Sequence, residues 1–238
     1  MTDLVALRAE NAKRWAAAKF TRNFASVARH LVSPDAKTRY QAVAAKTGVP
    51  WAAIAVIHER ECSQDWTGSL AQGDPWSRVS VHVPAGRGPF KSWEEAAIDA
   101  LENCTPYAAR NRDWSVGGVL TVLEEYNGLG YASRGVPSPY VWSGTDQYRS
   151  GKYVRDRVYD PNAVDSQLGC AGLLMAMMAL DRSIDLGSKV PLPAALPVPS
   201  GPHAPDTTRP RPPSVIHPAR GSIGAFIASI LSAISRRK

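Results

Sequence analysis

Over the first 187 positions apolar residues recur mostly at helical spacing, which predicts a chain built mainly of α-helices. Asn11 to Leu31 is rich in Ala, Lys and Arg without Gly or Pro, and reads as one long helix. Pro34-Asp35 opens a second towards Lys46, and Gly48-Val49-Pro50 breaks the chain before a third, from Trp51 to Cys62. Ser92-Trp93-Glu94-Glu95 has capping-box spacing and starts a helix to about Asn103. Asp113 caps another, which runs to Tyr126 and stops at Asn127-Gly128. Asp165 caps the last, where Leu168, Ala171, Met175 and Met178 form one stripe and Leu173, Leu174, Met177 and Leu180 fill the other sides. A helix apolar all round belongs at the centre of a core. Arg78 to Val83 alternates as a strand should, so the expected class is mainly α, or α+β with a small β-hairpin. No internal repeat is visible.

The pattern changes after residue 187. Ten of the 19 prolines fall between Pro191 and Pro218, so residues 188–221 read as an extended, semi-rigid linker. In 222–238, Ile223, Phe226, Ile227, Ile230, Leu231 and Ile234 share one helical face, small residues cover the other, and Arg236-Arg237-Lys238 close the chain. The uncharged stretch is too short for a membrane span and fits an interfacial amphipathic helix, or one that docks on the main domain. Three parts are therefore expected: a domain over 1–187, the linker, and the basic-ended helix.

Charge sharpens this division. Of the net +7, residues 188–238 carry +6 and residues 1–187 only +1. The tail would favour anionic membrane or outer-envelope surfaces. Nucleic acid is not an expected partner, because the main domain is nearly neutral and the tail has few aromatics to interleave with bases. The 44% apolar content excludes disorder throughout, and Cys62, Cys104 and Cys170 are too few and too far apart for a disulfide framework. The start lacks a basic region followed by an apolar core, so no secretory signal is expected and the chain would stay in the cytosol of the cell that makes it. A monomer is expected.

The chemistry concentrates after the third helix begins. On helical spacing Ile54, Ile57, His58 and Glu61 share a face, which sets an acid at the end of an apolar stripe. Burial there without a cationic partner would favour the neutral carboxyl, which is what protonating a glycosidic oxygen requires. A salt-bridged acid at a helix end is the alternative. Glu59 falls on the opposite side and is expected in solvent, while His58 is expected as a satisfied core histidine. Ser69-Leu70-Ala71-Gln72-Gly73-Asp74-Pro75-Trp76 follows as a Gly/Pro-punctuated loop, and a later helix end delivers Glu125-Tyr126-Asn127-Gly128.

Glu61-Cys62-Ser63 at a helix end, Leu70-Ala71-Gln72 in the next loop and the later Tyr126-Asn127-Gly128 resemble the three signatures of soluble lytic transglycosylases and the lysozyme-like superfamily. The resemblance covers Trp51 to Gly130, and the stretch from Tyr126 to Leu173 is similar to phage endolysins. It implies a lysozyme-like domain that cuts the β-1,4 bond between N-acetylmuramic acid and N-acetylglucosamine in peptidoglycan glycan strands. It makes Glu61 the general acid, Gln72 a contact to a substrate amide, and Tyr126 and Asn127 the floor of the sugar cleft. The chain departs from the pattern at Cys62 for Ser, Ser69 for Gly, Ala71 for Met and Glu125 for Ala.

Hydrolysis would need a second acid. Asp74, 13 residues after Glu61, is the first choice, ahead of Asp65 and Glu125, and the spacing in goose-type lysozymes leans the same way. An Asp-Pro turn residue is the competing reading of Asp74. Without a second acid, a hydroxyl of the substrate can attack instead, the lytic transglycosylase outcome. Trp76 and Tyr131, among the crowded aromatics, could offer faces to sugar rings. His58-Glu59-Arg60-Glu61-Cys62 lacks the second His of a zinc-protease helix, and no metal or cofactor is expected. A non-catalytic glycan- or membrane-binding virion module is the alternative to the enzyme.

Overall fold

The computed structural model describes residues 2–187, so the expected linker and C-terminal helix lie outside the described residues. Within that range the protein is mainly helical, with one small antiparallel sheet. Helix α1 (Leu4–Ala17) starts where the Asp3 carboxylate accepts the N–H groups of Val5 and Ala6. Then come α2 (Ala25–Leu31), α3 (Pro34–Thr47, with Pro at its first turn and left-handed Gly48 at its end) and α4 (Trp51–Cys62). Helix α5 (Trp93–Asn103) is capped by the Ser92 hydroxyl, and α6 (Val116–Asn127) by Ser115. Short helices α7 (Gly130–Ser133) and α8 (Pro139–Trp142) lead to the hairpin β1 (Lys152–Arg155) and β2 (Val158–Asp160), and α9 (Cys170–Leu180) follows.

Helix α9 is buried from Cys170 to Met177, as its unbroken apolar surface predicts. Helices α2, α4 and α8 pack on it, α1 lies along α6, and α3 joins α4 to α5. Close approach depends on small residues: a Cβ at Gly172 would lie 2.2 Å from the Phe24 ring, so glycine lets that ring rest against the α9 backbone. Cys104 and Cys170 are buried free thiols.

Four sequence expectations need correction. The stretch from Asn11 to Leu31 is two helices, because residues 19–22 turn outward to bond the 144–146 loop. Lys19 N–H reaches the Asp146 carboxylate at 2.9 Å and Thr21 N–H the Gly144 carbonyl at 2.9 Å. Arg78 to Val83 is a loop without strand pairing; Val79, Val81 and Val83 face solvent while Ser80 is buried, bonded to Pro84 O and Arg87 N–H. The hairpin lies instead at 152–160, where Lys152 pairs with Asp160 and Tyr153 with Tyr159. Asp165 does not cap α9, which begins five residues later at Cys170. It sits in a buried ion pair with Arg60 at 2.9 Å. Asp113 braces the start of α6 by accepting Ser115 N–H, but Ser115 is the cap.

One buried acid has a measurable consequence. Glu124, on the α1 side of α6, is 2% exposed and accepts from the Asn11 amide at 3.5 Å. Burial, opposed by that hydrogen bond and by Arg14, pushes its carboxyl up to about 7 from 4.5. An acid raised on folding is protonated more readily in the native state, so it adds no penalty below pH 4.5 and an increasing one as pH climbs towards 7. Glu124→Gln is expected to stabilise the protein at pH 8 by on the order of 2–3 kcal/mol, with the gain vanishing near pH 4. Urea denaturation of both forms at the two pH values checks the sign.

Candidate active site around Glu61

Helix α4 ends because Ser63 takes a left-handed conformation, φ 52°, returning its N–H to the Glu59 carbonyl. That termination leaves Glu61 half-buried in the last turn, where the 67–76 loop and α8 meet the helix. The Tyr140 hydroxyl, carried on α8 and fully buried, donates to Glu61 Oε1 at 2.9 Å. Burial, and then the charge of Glu61, raise the Tyr140 phenol well above its ordinary range, so it remains a donor at any physiological pH. Its ring rests on the Arg60 guanidinium, 4.7 Å from the ring centre.

Arg60 follows Glu59 but turns away from the site. It pairs with Asp165, donates to Leu168 O at 3.2 Å, and has almost no exposed side chain. Lys152 reaches the same carboxylate at 3.2 Å. Burial opposes the charge on Asp165, but the two cations hold its carboxyl below the usual range. A chain of contacts therefore runs from Asp165 through Arg60 and Tyr140 to Glu61.

The 67–76 loop packs against the same helix end. Gly68 bridges Pro75, Ser69 N–H bonds Asp74 O at 2.8 Å, and Gly73 N–H bonds Ser69 O at 2.9 Å. The Cys62 thiol donates to Ser69 O at 3.1 Å, so the residue that departs from the Glu-Ser pattern fastens the loop to the helix end. Burial raises that thiol, which stays protonated. A Cβ at Gly68 would come within 3.0 Å of Cys62 Sγ, which explains the glycine. From α6, the Tyr126 hydroxyl donates to Leu70 O at 3.0 Å and ties the third signature to the second. Asn127 is half-buried beside it at the end of α6. Glu61, the Gln72 loop and Tyr126 thus converge, although 65 residues separate the first from the last.

The remaining predicted residues have internal duties. Gln72 accepts from Ser69 Oγ at 3.0 Å and donates to Pro84 O at 3.2 Å, bracing its loop against the next. Asp74 Oδ2 accepts Val81 and His82 N–H, and Oδ1 faces His82 Nδ1 at 2.6 Å. Burial works against ionisation there, but the His82 and Val81 bonds outweigh it and hold the carboxyl below its ordinary value. The Trp76 indole N–H donates to Trp66 O at 2.8 Å, leaving a half-buried ring. Tyr131 is buried in a ring cluster with Tyr153 and Tyr159, its hydroxyl accepting Tyr153 N–H, so it anchors the hairpin. Asp65 Oδ1 accepts from Thr67 N–H and hydroxyl, and Glu125 lies half-buried towards Arg8.

His58 is wholly buried, and its ring N–H at Nε2 donates to Asp65 O at 3.0 Å while Nδ1 accepts from Tyr40. Burial depresses it to about 4, a structural neutral histidine. Glu59 departs from expectation: it is half-buried across the helix from Glu61, and burial, partly offset by Arg60, pushes it up to about 7. Tyr140 is the residue that sequence reasoning left among many aromatics; only its pairing with Glu61, 79 positions earlier, distinguishes it. Among the described residues no group of three or more His, Cys, Asp or Glu side chains is arranged to hold a metal ion, and no helix is long and apolar enough to cross a membrane. Comparison with protein-family models, with curated proteins and with solved structures finds no match to this chain.

Proposed function

We propose that the protein is a peptidoglycan-cleaving glycosidase of the lysozyme-like kind, acting on the β-1,4 bond between N-acetylmuramic acid and N-acetylglucosamine. The observation that carries this reading is the half-buried Glu61 held by Tyr140 between the 67–76 loop and the Tyr126 helix end. Glu61 protonates the glycosidic oxygen as the bond breaks, and Tyr140 fixes the carboxyl by holding one of its oxygens. Positive charge then develops at the sugar ring, where a nucleophile must arrive.

Lytic transglycosylation is the better supported outcome. Two of the three acids that could activate water accept hydrogen bonds from their own loops, Asp74 from His82 and Val81 and Asp65 from Thr67, and burial pushes the third, Glu125, up and away from the carboxylate form that a base needs. A hydroxyl of the muramic acid residue then attacks the ring carbon and returns its proton to Glu61, leaving an anhydro end. The basic C-terminal segment would bring the protein to anionic membrane or outer-envelope surfaces, and release from the cytosol of the producing cell would precede the attack on the wall.

Purified protein incubated with peptidoglycan sacculi is expected to release soluble muropeptides with anhydro ends, read by mass spectrometry. Reducing ends would identify hydrolysis and a working second carboxylate. A folded protein that binds sacculi without releasing product would favour the non-catalytic glycan-binding module. Tyr140→Phe keeps the buried ring but loses the hydrogen bond to Glu61. It is expected to lower the cleavage rate by about tenfold to a hundredfold, a loss of roughly 1.4–2.7 kcal/mol of transition-state stabilisation as the carboxyl loses its fixed orientation. Rates of turbidity loss on sacculi check it.

A further inference from the structure

On the far side of α6 from Glu61, a crevice of about 540 Å³ opens between α1, α6 and the segment joining α7 to α8. Glu124 forms part of its wall, 2% exposed, and the 3.5 Å bond from Asn11 is its hydrogen bond among the described residues. That amide is shared, since Asn11 Nδ2 also reaches Thr121 Oγ1 at 3.3 Å. Three carboxylates line the crevice, Asp3, Glu10 and Glu124, against one cation, Arg14, and Arg14 is paired with Glu10 at 3.0 Å. Asp3 is occupied by the first turn of α1. Among the described residues no cation reaches Glu124 at ion-pair distance, and Arg14, held by Glu10, acts on it only at longer range in a crevice whose formal charges sum to −2. Half-buried Leu7, Ala132 and Val136 supply apolar wall beside it.

We propose that this crevice is a second binding site, for a small organic cation whose ammonium pairs with Glu124 and whose apolar body lies against Leu7, Ala132 and Val136. A buried carboxylate without a close counter-charge is costly, and a bound ammonium relieves that cost. An anion would meet the excess of carboxylates. A neutral ligand of the same shape would leave Glu124 uncompensated. The site stands independently of the glycosidase reading, since Glu124 and Tyr126 leave α6 on opposite sides.

Cyclohexylammonium is the probe, titrated calorimetrically into the full chain at pH 8, with cyclohexanol and cyclohexanecarboxylate as the neutral and anionic controls. Saturable binding of one cyclohexylammonium per chain is expected, with neither control binding, and Glu124→Gln should weaken it at least tenfold. Ala6→Trp, at an exposed position on the rim, should block entry while leaving the core intact. The proposal is overturned if cyclohexylammonium does not saturate, if a control binds equally well, or if Ala6→Trp binds like the native chain. A folded Glu124→Gln variant with unchanged affinity would overturn it too.

Discussion

Asp165→Ala is expected to remove 3–5 kcal/mol of stability, because it strands a buried guanidinium. Arg60 and Asp165 have side chains only 2% and 4% exposed, and they meet at 2.9 Å. Neither charge can return to water without opening the packing of α4 on α9. The cost follows from breaking one partner of the pair rather than from any large net gain in having it; a buried ion pair often does little better than a well-packed apolar pair. Lys152, with 23% of its side chain exposed, is the internal control. Lys152→Ala should cost under about 1 kcal/mol, since a partly solvated cation can be replaced by water. In a chain of this size each kcal/mol moves the melting midpoint by roughly 2–4 °C, so Asp165→Ala should melt on the order of 10 °C lower. Thermal unfolding followed by circular dichroism measures both. Because Arg60 underlies the Tyr140 ring, the same variant should also loosen the group that holds Glu61.

Glu61→Gln carries the largest expected effect on activity. Glutamine preserves the size of the side chain and can still accept from Tyr140, so the packing of the helix end should survive. What it lacks is a proton to give to the leaving oxygen. General acid catalysis by a positioned side chain is worth about 10²–10⁴ in rate, and the variant should lose that factor with a melting midpoint close to the native one. A fall in activity accompanied by unfolding would carry no weight, which is why both readouts belong together.

Local patterns in the sequence predict what local physics decides. The extent of α4, the all-round apolar surface of α9 and the Ser92 cap are each set within a few residues, and each matches the structure. The misread elements depend on partners distant in the chain. Residues 19–22 have helical composition, but bonds to the 144–146 loop hold them extended, and nothing near position 20 announces that loop. Alternating valines at 79, 81 and 83 look like a strand, yet a strand needs a neighbour and this segment has none among the described residues. The true hairpin turns through Arg157 at φ 61°, without the Gly or Asn that marks such turns. In the site, Glu61, Leu70 and Tyr126 could be grouped from short motifs. The Tyr140 bond and the Asp165–Arg60 support join positions 79 and 105 residues apart, so only the fold reveals them.

The proposed function rests on one carboxyl, that of Glu61, as the group that breaks the glycan strand. The most direct measurement compares the soluble products released from purified sacculi by the native chain and by folded Glu61→Gln, quantified by mass spectrometry. The native chain should yield anhydro-ended muropeptides and the variant at least a hundredfold less in the same time. Equal yields from the two proteins would rule Glu61 out as the proton donor.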